Sequence, residues 1–135
     1  MAETLSQLPH KKIGVAVIRN QQGQILIDRR RSTGEMASLW EFPGGKLEPN
    51  ETVEECIKRE ILEELAIEIE VGDRLMTIDH IYSRFQVTLF VHNCQYVRGT
   101  PQPLECEEIR WVTPTEIDNY TFPAANQEII TTLQS

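Results

Sequence analysis

The stretch from Phe42 to Ile67 reads as a turn, a loop and a helix in one unit, and the helix carries carboxylates where a packed helix should carry none. Val53, Cys56, Ile57, Ile61 and Leu65 recur at the spacing that aligns side chains on one face, which predicts a helix from about Thr52 to Leu65 with that stripe against a core. At roughly 100° per residue, Glu60 and Glu64 project close to Val53 and Ile57, inside or beside the stripe, and Glu63 lies on its flank. Glu55 and Lys58 point the other way, so the helix also has an ordinary wet face. Glutamate-rich helices are usually solvated throughout. Here the acids are sorted, and because burying unpaired carboxylates is costly, acids on the inner edge imply a compensating cation. Mg²⁺ or Mn²⁺, hard ions that prefer oxygen ligands, suit such a donor set.

The rest of the chain is consistent with one small α/β unit spanning residues 1–135. A net charge of −8 argues against nonspecific binding to duplex nucleic acid, which needs a basic surface. Cys56, Cys94 and Cys106 are widely spaced and form no C-x-x-C pair, so neither a disulfide framework nor a zinc site is indicated, and inert thiols are expected. No apolar run is long enough to cross a bilayer and residues 1–12 hold no signal-like apolar segment, so a cytoplasmic location without a membrane partner is expected; a monomer is expected as well.

Ile13 to Ile18 and Gln24 to Asp28 are β-rich and flank Asn20-Gln21-Gln22-Gly23, which predicts an antiparallel hairpin. Further strands are expected at Leu39 to Phe42, Arg74 to Tyr82, Phe85 to Tyr96 and Glu108 to Val112. Arg29 to Ser38 reads as a polar loop able to reach over a ligand. Thr113-Pro114-Thr115-Glu116 carries an N-cap, a proline at the first helical position and a capping-box glutamate, predicting a second helix. A final short helix is expected over roughly Ala125 to Leu133, after the break at Pro123.

Gly45, Glu51 and the run Arg59-Glu60-Ile61-Leu62-Glu63-Glu64-Leu65-Ala66-Ile67 together resemble the Nudix box, G-x5-E-x7-R-E-U-x-E-E-x-G-U with U aliphatic, over residues 45–67. One fixed position departs: Ala66 stands where the family has glycine, a site suited to a left-handed helix end. Outside the box, the resemblance favours the MutT-like nucleoside triphosphate pyrophosphohydrolases. It is carried by Val15 to Asn20, Ile27-Asp28-Arg29-Arg30, Leu39-Trp40-Glu41-Phe42-Pro43-Gly44-Gly45 and Phe122-Pro123-Ala124-Ala125-Asn126. It implies a Nudix fold, an α/β/α sandwich around a mixed β-sheet, and hydrolysis of a nucleoside triphosphate to the monophosphate and pyrophosphate. An oxidised purine nucleotide such as 8-oxo-dGTP is the expected substrate, with CTP or a modified pyrimidine nucleotide as the enzyme alternative. The alternative of another class is a catalytically silent nucleotide- or lesion-binding module.

Glu60 and Glu64, one helical turn apart, form the best ligand pair, with Glu63 binding directly or through water. The resemblance implies the same roles, and adds the Gly44 carbonyl as a further metal ligand. Arg59 is expected to pair with Glu51 or its neighbours and orient the loop against the helix, the alternative being an ordinary surface salt bridge. An additional acid from outside the box, serving as metal ligand or general base, is implied at Glu105, with Glu107 and Glu108 as rivals. The Pro101-Gln102-Pro103-Leu104 segment before it reads as a loop that moves in with substrate. Asn126 offers both a donor and an acceptor to a purine edge, but its position after Pro123 also suits a helix cap. Phe42 offers a wall to the base, yet alternates with Trp40 as a core strand residue would. Arg30, Glu35, Glu41 and Pro43 are added to the substrate-binding set by resemblance.

Overall fold

A computed structural model describes residues 8–34 and 36–135. The elements run β1 (His10–Arg19), β2 (Ile25–Arg29), β3 (Trp40–Glu41), β4 (Gly44–Lys46), α1 (Val53–Leu65), β5 (Glu68–Ile81), β6 (Gln86–Arg98), β7 (Glu108–Val112) and α2 (Gln127–Gln134). The strands form one sheet ordered β3-β2-β1-β6-β5, with β4 also pairing β1 and β7 also pairing β2. β1 and β6 are parallel and the other pairs antiparallel, so the sheet is mixed as the resemblance implied.

The centre of β1 shows why helices cover both faces. Side chains alternate along a strand, and here neither set is polar. Val15 and Val17 pack into a core with Phe42, Phe122, Ile129 and Ile130, under α2, whereas Ala16 and Ile18 pack with Ile57, Ile61 and Leu65 of α1. The stripe read from the sequence is the buried face of α1: Cys56, Ile57, Ile61 and Leu65 are all buried.

Both ends of α1 are fixed by local chemistry. Thr52 Oγ1 accepts from the Glu55 N–H at 3.1 Å and the Glu55 carboxylate accepts from the Thr52 N–H at 2.9 Å, a closed capping box. At the other end Ala66 adopts the left-handed conformation, φ 59° and ψ 30°, and its N–H donates to the Leu62 carbonyl at 3.1 Å. That conformation crowds a Cβ, which is the reason glycine is favoured there.

The first hairpin forms as expected: Asn20 Oδ1 accepts from the N–H groups of Gln22 and Gln24, and Gly23 takes a positive φ of 75°. Three expectations fail in extent. The Thr113 capping box closes, with Thr113 N–H to Glu116 at 2.8 Å and Glu116 N–H to Thr113 Oγ1 at 3.3 Å, yet only one 3₁₀ turn follows, Thr115–Asn119. The chain then extends because Thr121 gives its carbonyl to the Trp40 N–H at 2.9 Å and Tyr120 packs edge-on against Trp40. β5 begins at Glu68, not Arg74, because irregular pairing between Val71 and Met76 absorbs Gly72-Asp73 without ending the strand. Gly44–Lys46, read as a turn, is strand β4 against β1, where a Cβ on Gly44 would collide with the Gly14 carbonyl.

Ala66→Gly should therefore raise stability by about 1 kcal/mol, or roughly 3 °C in Tm, since glycine adopts this conformation without the side-chain clash. Thermal denaturation measures it, and an unchanged or lower Tm would show that Ala66 is not strained.

Candidate active site

β4 delivers the loop to α1 and sets the distance between them. A Cβ on Gly45 would fall on the Glu60 carboxylate, so the glycine lets Glu60 lie flat under the loop. Arg59 then ties the parts together. Its Nε and Nη2 reach the two oxygens of Glu51 at 2.7 and 2.9 Å, its Nη1 reaches Glu60 at 2.7 Å and Glu63 at 3.4 Å, and its Nη2 reaches the Lys46 carbonyl at 3.3 Å. Planar two-pronged pairing of this kind fixes orientation as well as charge. Hydrogen bonding to Arg59, then to the backbone at Glu48, pulls the Glu51 carboxyl down to about 2, so it stays ionised.

Glu64 has the opposite environment. Burial first, then a hydrogen bond to Glu60 and the negative charges of Glu60, Asp28 and Glu41, push its carboxyl up to about 9. Asp28, only 3% exposed, faces Glu41 across β2 and β3; it too is raised well above the usual range, by burial first and then by Glu41, with Arg30 opposing. Sequence reasoning missed Asp28 as part of the site. Its alternation between Ile27 and Arg29 marks the strand, but only the cross-strand register brings it to Glu41.

Among the described residues no group of three or more His, Cys, Asp or Glu side chains is already arranged to hold a metal ion. Glu60 is turned onto Arg59 at 2.7 Å, and burial beside Glu60 pushes the Glu64 carboxyl up, which favours its protonated form. Chemically the set still fits a hard divalent cation, because carboxylates crowded by other carboxylates lose most of their mutual repulsion once a cation replaces the proton. Glu60, Glu63 and Glu64 would hold it, and Gly44 and Glu105 line the same cavity as Glu64.

A cavity of about 320 Å³ opens over this acidic edge, lined by Arg30, Arg31, Thr33, Glu41, Phe42, Gly44, Glu64, Glu105 and Asn126 with Ile13, Val15 and Leu89. A second, of about 210 Å³, shares Ile13, Arg30, Glu41, Leu89 and Asn126 with it and continues towards Tyr82, Phe85, Met36 and Pro123. The first is polar and acidic at one end, and the second adds the aromatic Tyr82 and Phe85 and several apolar groups to a rim that also carries Lys11 and Lys46. Arg31 and Thr33 belong to the loop expected to reach over a ligand, though nothing in the sequence singles either out within it, and Tyr82 and Phe85 read there only as strand residues.

The expected site residues divide clearly. Arg30 reaches Glu41 at 3.1 Å. Glu105 lines the cavity while Glu108 is held by Arg29 at 3.4 Å and Arg110 at 3.0 Å, and Glu107 does not line it. The segment before Glu105 is not loose: the Gln102 and Leu104 N–H groups donate to the Leu65 and Glu64 carbonyls at 2.9 and 3.1 Å, capping α1. Phe42, 3% exposed and stacked near Phe122 at 5.1 Å, is a core residue that shows one edge to the cavity. Pro43 is buried and does not line the cavity, its carbonyl accepting from the Ala16 N–H at 2.8 Å. Glu63 lies outside the cavity with its side chain 55% exposed. Glu35 lies outside the described residues. Asn126 precedes α2 but its side chain caps nothing; it is 7% exposed and lines both cavities.

All three thiols are pushed up by burial, Cys56 to about 11 and Cys94 and Cys106 to about 12, which leaves them protonated and inert at neutral pH. No helix among the described residues is long and apolar enough to cross a membrane.

This fold, with a glutamate-lined helix under a glycine strand and a cavity above, is that of the Nudix hydrolases, and the chain belongs to the NUDIX domain family, whose match covers residues 14–132. Its relatives place it in the MutT-like branch. It is 31% identical over 123 residues to the 8-oxo-dGTP diphosphatase of Escherichia coli, covering 91% of this chain and 95% of that one. It is 34% identical over 112 residues to the CTP pyrophosphohydrolase of the same organism, covering 83% of each. The crystal structure of the MutT protein from Methanosarcina mazei superposes with a TM-score of 0.85 at 28% identity, covering 94% of both chains.

The carboxyl shift at Glu64 has a consequence for stability. The folded protein keeps this proton up to about pH 9 whereas the unfolded chain releases it near 4.5, so without metal, stability falls as pH rises between those values and then levels. A cation that replaces the proton should stabilise increasingly over the same window. The Tm increment from added Mg²⁺ or Mn²⁺ is expected to grow from pH 6 to pH 9 in the wild type and to stay nearly flat in Glu64→Gln; equal increments at every pH would contradict the assignment.

Proposed function

We propose that this chain, acting as a single domain and a monomer in the cytoplasm, hydrolyses a nucleoside triphosphate to the monophosphate and pyrophosphate with Mg²⁺ or Mn²⁺ bound at Glu60, Glu63 and Glu64. An oxidised purine nucleotide such as 8-oxo-dGTP is the preferred substrate, which makes the role sanitation of the nucleotide pool ahead of DNA replication and repair. The observation that carries this reading is that Asn126 and Glu64 line one cavity, with the Asn126 side chain buried and not used as a helix cap. One end suits a polyphosphate with its cation and the other a flat base.

The chain's own groups support a division of work. Gly44 and the carboxylates of α1 would hold the cation, which when bound would supply neutralisation of phosphate charge and a more acidic attacking water. Arg30, at the cavity wall, complements phosphate or base once its pairing with Glu41 is shared. Glu105, which lines the cavity, serves as the base that takes a proton from the attacking water. Arg59 and Glu51 do no chemistry and keep the loop registered on the helix. The Asn126 amide presents one donor and one acceptor, complementary to the carbonyl and N7–H edge that oxidation at C8 gives to guanine. Phe42 closes the core beneath.

The similarity to a CTP pyrophosphohydrolase supports a second reading, in which a cytosine nucleotide fills the same cavity. Release of monophosphate and pyrophosphate across 8-oxo-dGTP, dGTP, 8-oxo-GTP, CTP, 5-methyl-dCTP and ADP-ribose separates the two. Preference for 8-oxo-dGTP is expected, preference for CTP would favour the second reading, and tight binding without turnover would favour a silent binding module. Glu64→Gln should lower kcat by at least about 10²-fold, and Asn126→Ala should weaken discrimination between bases while leaving hydrolysis measurable. Near-normal kcat in the first, or unchanged selectivity in the second, would remove that residue from the role.

A further inference from the structure

Glu105 is held in place through the residues on either side of it. The Leu104 N–H donates to the Glu64 carbonyl at 3.1 Å, and the Leu104 carbonyl accepts from Arg31 Nη2 at 3.2 Å. Beyond Glu105, the Glu107 N–H donates to the Arg29 carbonyl at 2.9 Å. Two of these bonds join backbone to backbone and follow from the fold. The third comes from a side chain in the loop after β2, and it bridges that loop to the Glu105 loop at the rim of the cavity that both Arg31 and Glu105 line. The arginines before it are used differently: Arg29 reaches Glu108 and Arg30 reaches Glu41, both carboxylates, whereas Arg31 directs a donor at a main-chain carbonyl.

We propose that Arg31 is a positioning residue for the reaction: its hydrogen bond to the Leu104 carbonyl fixes the peptide that carries Glu105, and so sets where the Glu105 carboxylate stands over the cavity. The inference rests on Glu105 belonging to the reacting site. A carboxylate on a loop is useful only if it keeps its distance from the other acids, and displacement by about 1 Å can cost on the order of 10²-fold in rate. Without Arg31, Leu104 keeps its link to α1 through its N–H but its carbonyl can rotate, taking the following residue with it. A guanidinium that served mainly to bind phosphate would act differently, through KM.

The test uses Arg31→Ala, Arg31→Lys, Glu105→Gln and the Arg31→Ala/Glu105→Gln pair, assayed by pyrophosphate release from 8-oxo-dGTP, with amide hydrogen exchange on the metal-free proteins. Arg31→Ala should lower kcat about 10-fold with KM within about 2-fold of wild type, and lysine, which can still donate one hydrogen bond, should restore most of it. In the Glu105→Gln background the same substitution should change kcat by less than about 2-fold, since residues acting through one group are not additive. Exchange at the Leu104 and Glu107 amides should accelerate in Arg31→Ala while the amides of α1 keep their protection. A full effect persisting on Glu105→Gln, a loss confined to KM, a fully active Glu105→Gln protein, or unchanged exchange each overturns the proposal. If the wild type hydrolyses no nucleotide, the hydrolase reading fails, and the exchange rates alone still decide whether Arg31 holds the loop.

Discussion

Glu60 and Glu64 are held one helical turn apart on the inner edge of α1, with Asp28 and Glu41 brought against them from the sheet, and their mutual repulsion governs the rest of the site. A protein core does not tolerate such crowding without a positive charge or a proton. One side is met by Arg59, which reaches Glu51, Glu60 and Glu63 at once. On the other side, burial and the neighbouring acids push the Glu64 carboxyl up and so favour its protonated form. A divalent cation would relieve this crowding, although among the described residues no three of these acids are grouped for one beforehand.

The mixed sheet makes the crowding possible. β1 is buried on both faces, so α1 packs tightly on one of them, and β4 lies so close that a Cβ on Gly44 would strike β1 and one on Gly45 would strike Glu60 of α1. The last carbonyls of α1 are capped by the chain before Glu105. One helix thereby positions the acids of the box through its side chains and the acid outside the box through its C-terminal end. α2 contributes from the opposite face, where the 3₁₀ turn before it leaves the Asn126 amide to the cavity instead of the helix end.

What the sequence made legible were features with a fixed local period or spacing. The stripe from Val53 to Leu65, the left-handed end at Ala66 and the Asn20 hairpin all depend on residues close in the chain, and all are present. Phe42 was open between wall and core because a strand residue can be both, and it is mainly core. Asp28 and Arg31 were not legible, since their partners Glu41 and Leu104 come from separate segments brought together by register and by loop docking. The Thr113 capping box was correctly read but overextended, because a cap starts a turn and only later side chains sustain it; Tyr120 is committed to Trp40 instead. Glu105 differs from Glu107 and Glu108 in lining the cavity, and Glu108 is held by Arg29 and Arg110, neither of which the sequence shows.

The central claim is that a divalent cation takes the place of the Glu64 proton. Titration calorimetry of Mg²⁺ or Mn²⁺ into the wild-type protein at pH 7.5, repeated in buffers of different ionisation enthalpy, counts the protons released. The account requires about one proton per bound cation, lost in Glu64→Gln. Cation binding of the same strength with no proton release would contradict it.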